Sequence, residues 1–90
     1  MKHLEIIHLR SAGEPLEALG ELIAESVGEL GADQEVVTLY RRDELDTDLA
    51  VHIVRSILRG RQEPSDLAMR LASALKAYGL VEHTLWKEMG

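Results

Sequence analysis

An α+β domain of one sheet and two helices is what this 90-residue sequence predicts. Two stretches repeat apolar residues every three or four positions, as one-sided helices do. Four short stretches of strand length carry β-branched residues. They alternate as strand, helix, strand, strand, helix, strand.

HLEIIHLR, His3 to Arg10, reads as the first strand. Leu4 and Ile6 fall on one side, Ile7 and Leu9 on the other, and a strand apolar on both faces belongs in the middle of a sheet. SAGEP breaks it, and Pro15 suits the first turn of a helix, where a missing N–H costs nothing. Leu16, Leu19, Ile23, Val27 and Leu30 then form one stripe on a helix from Pro15 to Leu30, with Gly28 and Gly31 at its fraying end. EVVTLYRR, Glu35 to Arg42, is the second strand, and DELDTD an acidic turn. For Leu49 to Ile57 two readings compete. A helix would set Leu49, Ile53 and Ile57 four apart. Val51, Ile53, Val54 and Ile57 are β-branched and favour a strand, which is the reading adopted. RGRQEP is a loop. Ser65 caps a second helix from Asp66, striped by Leu67, Leu71, Leu75 and Tyr78, with Gly79 as a left-handed stop. LVEHTLWKE, Leu80 to Glu88, is the last strand.

This order is the ferredoxin-like βαββαβ plan, an antiparallel sheet in spatial order 4-1-3-2 with both helices on one face. Residues 1–90 make a single domain. A chain this short buries only about 60–65% of its unfolded surface, so self-association is a natural source of further buried area.

Composition narrows the function classes. The formal net charge is −6, with 16 acids against 10 bases. That opposes a broad nucleic-acid surface. No cysteine is present, which excludes disulfides and thiolate chemistry and fits a reducing cytoplasm. No run approaches the ~20 apolar residues of a membrane span, and MKHLEIIHLR lacks the features of a signal peptide.

The sheet face under the helices should collect Leu49, Val51 and Ile53, Val37 and Leu39, and Val81 and Leu85 with His83 between them. In the first strand a glutamate is a poor fit under helices without a partner. Leu4 and Ile6 are therefore assigned to the helix side, and Glu5, Ile7 and Leu9 to the other. The face away from the helices then also holds Val36, Thr38, Tyr40, Ala50, His52, Val54, Leu80, Glu82, Thr84 and Trp86. Such a mixed face marks association or ligand binding.

The stretches SDLAMRLASALKAYGLVEHTLW and DTDLAVHI resemble the dimeric α+β barrel superfamily, and within it a poorly characterised bacterial branch. The resemblance covers most of the chain and is most specific after Asp46. It implies a homodimer packed sheet to sheet around a cavity. Relatives include monooxygenases that oxidise aromatic polyketides without a cofactor, and haem-degrading and stress-response proteins. None of their defining active-site motifs is present.

On this reading a small molecule binds between the sheets, with His52, Glu5, Tyr40, Glu82 and Trp86 as candidate ligand-binding residues and no cofactor. The 4-1-3-2 order places His52 beside Glu5, and a carboxylate next to an imidazole orients it for acid–base work. Tyr40 and Trp86 would be pocket walls. The bland alternative is that His52 merely fills a dimer interface. His3, His8, His52 and His83 lie on adjacent strands, but His8 and His83 take the opposite parity from His52, so no metal site is expected. SAGEPLEALG lacks the glycines and lysine of a phosphate loop. It faintly resembles the turn of ACT-type regulatory domains, which bind amino acids there, although Gly13 precedes Pro15. That module, and a ligand-free assembly domain, are the alternatives. Arg55, Arg59 and Arg61 are a further possible anion site.

Overall fold

The computed structural model describes residues 2–30, 35–44, 47–56 and 64–89. Its elements are β1 (Lys2–Ser11), α1 (Leu16–Leu30), β2 (Glu35–Arg41), β3 (Asp48–Ser56), α2 (Asp66–Leu75) and β4 (Gly79–Lys87). A 3-10 turn, Lys76–Tyr78, joins α2 to β4. The four strands form one antiparallel sheet in the order β2-β3-β1-β4. This is the expected 4-1-3-2 order read from the other edge. The segment with two competing readings is a strand. Gly31, Asp46, Ile57 and most of the RGRQEP loop, with Arg59 and Arg61, lie outside the described residues.

Both helices cover one face. Leu19 and Ile23 of α1 and Leu67, Leu71 and Leu75 of α2 are buried against Ile7, Leu9, Leu49, Val51 and Ile53. Leu16, Val27, Val37, Tyr78 and Val81 pack around that core. Helix α1 begins one residue later than its proline suggests. The Pro15 carbonyl instead accepts the Leu19 N–H at 3.2 Å, which closes the first turn. Helix α2 is capped as expected: the Ser65 hydroxyl accepts the Ala68 N–H at 3.1 Å, satisfying an otherwise orphaned donor.

One assignment is reversed. Across β1 it is His3, Glu5, Ile7, Leu9 and Ser11 that are buried, so the odd residues lie under the helices and Leu4, Ile6 and His8 on the open face. Glu5 is wholly buried, and it is satisfied there. Its Oε1 accepts the Ser65 N–H at 2.8 Å and pairs with Arg55 Nη2 at 3.1 Å. Its Oε2 lies 3.1 Å from His83 Nε2. The desolvation that argued against this placement is offset by partners from three distant parts of the chain. His83 lies on the helix side as expected, whereas His8 shares the face of His52 and not the opposite one.

Gly79 is not a left-handed cap either. The C-cap of α2 is Lys76, in ordinary right-handed geometry. Gly79 opens β4 at φ 159°, ψ −157°, opposite Ser11. A Cβ there would collide with the Arg10 carbonyl oxygen, so glycine is required by the close approach of two backbones. Gly79→Ala is expected to destabilise by more than about 1 kcal/mol. Gly28→Ala, in open space on α1, is expected to be neutral or to stabilise by up to about 1 kcal/mol. Urea titration of the two variants checks the contrast.

Candidate functional site on the open sheet face

The strand registers arrange the open face in four cross-strand rows. Val36, Val54, Leu4 and Trp86 form an apolar row at one end. Thr38, His52, Ile6 and Thr84 come next, then Tyr40, Ala50, His8 and Glu82. Asp48, Arg10 and Leu80 make the charged end. The face therefore grades from apolar to charged along the strand direction. Tyr40 is 51% exposed, Trp86 55% and Leu80 74%. Large side chains left this open on one contiguous face are unusual for a self-sufficient monomer.

Asp48 anchors the charged end. It opens β3 and is 1% exposed although its parity is that of the open face, because neighbours close over it. His8 Nε2 lies 2.9 Å from Oδ2 and Arg42 Nη1 3.3 Å from the same oxygen. The Thr47 hydroxyl donates to Oδ1 at 2.9 Å, and Arg10 Nε stands 3.8 Å from Oδ1. The backbone seals the corner through Arg42 N–H to the Asp48 carbonyl at 3.1 Å. The hydrogen bond from His8, then that from Thr47, with Arg42 and the charge of His8 adding to them, holds the Asp48 carboxyl below its ordinary 3.8 against the opposing effect of burial. In the neutral tautomer that donates Nε2–H to Asp48, the lone pair of His8 is on Nδ1. A histidine backed by a buried carboxylate is the arrangement that orients an imidazole and stabilises the charge it gains with a proton.

The residues expected at the site are brought together only in part. Tyr40 and His52 meet, with ring centroids 4.5 Å apart and planes tilted by 53°. Glu82 lies in the row of Tyr40 and His8, directly opposite His8. Trp86 belongs to the apolar row, its Nε1–H donating to Thr84 Oγ1 at 2.8 Å. Glu5 is not part of this face: the carboxylate expected beside His52 is under the helices. On this face it is His8, not His52, that lies beside a carboxylate, that of Asp48. Of the three arginines considered for an anion site, Arg55 pairs with Glu5 under the helices, and Arg59 and Arg61 lie outside the described residues. Among the described residues no three histidine, aspartate or glutamate side chains converge to hold a metal ion, and no helix is long and apolar enough to cross a membrane.

A shallow pocket of about 320 Å³ lies over Ile6 and Ala50, walled by Tyr40 and rimmed by His8, Arg42 and Asp48. A second groove, of about 430 Å³, lies at the β1–α1 turn beside Gly13, at φ 128°. Its rim carries Glu14 and Glu17 against Arg41, a poor match for the carboxylate of an amino acid.

Among solved structures, the chain is similar to two of SnoaB, a cofactor-independent oxygenase from Streptomyces nogalater, one of them a mutant. Each gives a TM-score of 0.65 at 19% identity, over 99% of this chain and 94% of the other. No family model and no curated protein matches the chain. At this identity the likeness is one of fold, and it agrees with the ferredoxin-like α+β plan of the chain.

Two outcomes test the electrostatics. The Asp48 carboxyl is depressed, so its contribution to stability is complete above the unfolded value of 3.8 and is lost as pH falls through the lower folded value. Asp48→Asn should therefore lower stability near pH 6 and flatten the loss between pH 4 and pH 2, measured by urea titration at each pH. Glu5→Ala leaves Arg55 and His83 without their carboxylate and should cost about 3–5 kcal/mol, read as a drop in the urea midpoint.

Proposed function

We propose that the chain forms a homodimer through the open sheet face and binds a planar aromatic small molecule between the sheets, oxygenating it without a cofactor. The observation that supports this best is the His8–Asp48 pair, set beside a pocket with an apolar floor on a face that needs cover. The fold shared with a cofactor-independent oxygenase supports the reaction class.

Without a cofactor, the electrons that reduce O2 come from the substrate. A substrate able to give them has an acidic C–H or O–H whose conjugate base is electron-rich. In this reading His8 Nδ1 takes that proton, and Asp48 stabilises the imidazolium through Nε2–H. The anion then gives up electrons to O2. For a CH2 flanked by aromatic rings, two C–H bonds break and one C=O bond forms. The second oxygen atom leaves with the two hydrogens as water, and the equation balances with no other reductant. Tyr40 and His52 form a wall for the ring system, Glu82 faces His8 from β4, and the Trp86 row supplies apolar contact.

Anthrone carries such a CH2 and serves as the probe. The expected result is one O2 consumed per anthrone converted to anthraquinone, in the presence of a chelator. His8→Gln should lower turnover by about 100-fold or more. His52→Leu should leave the dimer intact while weakening binding. Sedimentation should give twice the 10.0 kDa chain mass at micromolar concentration, and Val54→Asp, in the apolar row, should shift it to monomer. A stable monomer across that range, or anthrone turnover unchanged by His8→Gln, would sink the reading.

A further inference from the structure

We infer that the pocket beside Tyr40 selects ligands that carry an anionic group next to the aromatic ring, and that Arg42 is the residue that selects them. The inference rests on the proposed ligand site and adds the chemical class of its occupant.

The argument is one of local charge. The chain as a whole is acidic, at −6. The pocket is not. Its lining carries His8, Arg41 and Arg42 against a single carboxylate, Asp48. That carboxylate is already shared: His8 and Arg42 hold Oδ2, and Thr47 and Arg10 approach Oδ1. It is also almost wholly buried, so it offers little to a ligand. Arg41 has a partner in Glu17 at 3.9 Å, between two exposed side chains. Arg42 touches Asp48 through Nη1, and its side chain is 56% exposed. A guanidinium carries five donors in a planar fork, more than one contact to Oδ2 uses.

The floor supplies the other half of the specificity. Ile6 and Ala50 are apolar, and Tyr40 stands beside them. A flat ring lying on that floor brings a substituent at its edge to the rim where Arg42 and His8 stand. A carboxylate or phenolate there gains charge-assisted hydrogen bonds, which are stronger than those of a neutral hydroxyl. A neutral ring of the same size gains only the floor.

Two fluorescent probes separate these contributions: 1-naphthol, neutral at pH 7, and 1-hydroxy-2-naphthoate, which adds an ionised carboxylate to the same ring. Titration of the dimeric protein should show the acid binding about tenfold tighter or more, with the preference shrinking as NaCl is raised from 50 to 500 mM. Arg42→Gln keeps a donor for Asp48 but loses the charge. It should abolish the preference, read as the ratio of the two affinities, with circular dichroism and dimer mass as for the parent, while Arg42→Lys should restore part of the preference. Equal affinity for the two probes, or a preference that survives Arg42→Gln, overturns the role of Arg42 and leaves the aromatic site standing. Binding of neither probe overturns the site as well.

Discussion

The buried carboxylate of Glu5 is the constraint on which the rest of the face depends. An ionised group taken out of water is tolerated only when its partners replace the lost hydration. Here they come from Arg55 on β3, His83 on β4 and the backbone N–H of Ser65 at the start of α2. One side chain thereby joins the central strand to both its neighbours and to the helix above. Glu5 also sets the parity of β1. With it under the helices, Ile7 and Leu9 enter the core and Ile6, His8 and Arg10 turn outward. A slip of one residue would exchange the two sets, removing His8 from Asp48 and leaving the open face without its polar centre.

The open face is then a gradient. Its apolar row is suited to packing against another sheet. Its charged row is suited to a polar ligand edge, and Tyr40, His52 and His8 lie between the two. Burial of Asp48 by its own neighbours lets a carboxylate contact His8 while its charge stays covered. The same screening gives an acidic protein a locally basic rim.

The fold was legible in the sequence because most elements carry an unambiguous period. Leu16, Leu19, Ile23 and Val27 show one helical stripe, and Leu67, Leu71 and Leu75 another. Leu49, Val51 and Ile53 alternate cleanly with Ala50 and His52, so β3 and its faces follow directly. β1 is different: apolar residues occupy both parities, so Glu5 alone decided, and it decided wrongly. Its partners lie at positions 55, 65 and 83, too far along the chain for any local pattern to connect them. A signal did exist, since His83 between Val81 and Leu85 was already read as helix-side and needed a partner of its own. The site was correspondingly half legible. Tyr40 and His52 fell on the open face as expected and meet there. His8 was hidden by the reversed parity, and Asp48 by its place in a run of turn-like acids.

The position of β1 has a consequence for how the chain acquires its shape. β1 precedes the strands it pairs with, yet neither of its neighbours in the sheet is its neighbour in sequence. Arg10 pairs with Asp48, and His3 with Lys87. Every backbone ladder β1 makes must wait for a distant segment, and the closure entropy of those loops is incurred before the contacts form. On a ribosome β1 cannot form its first ladder of this sheet until β3 has been synthesised. It remains one-sided until β4 follows. The β2–β3 pair, between consecutive strands, is the local part of the sheet, and the two ladders of β1 are its long-range part, added in turn.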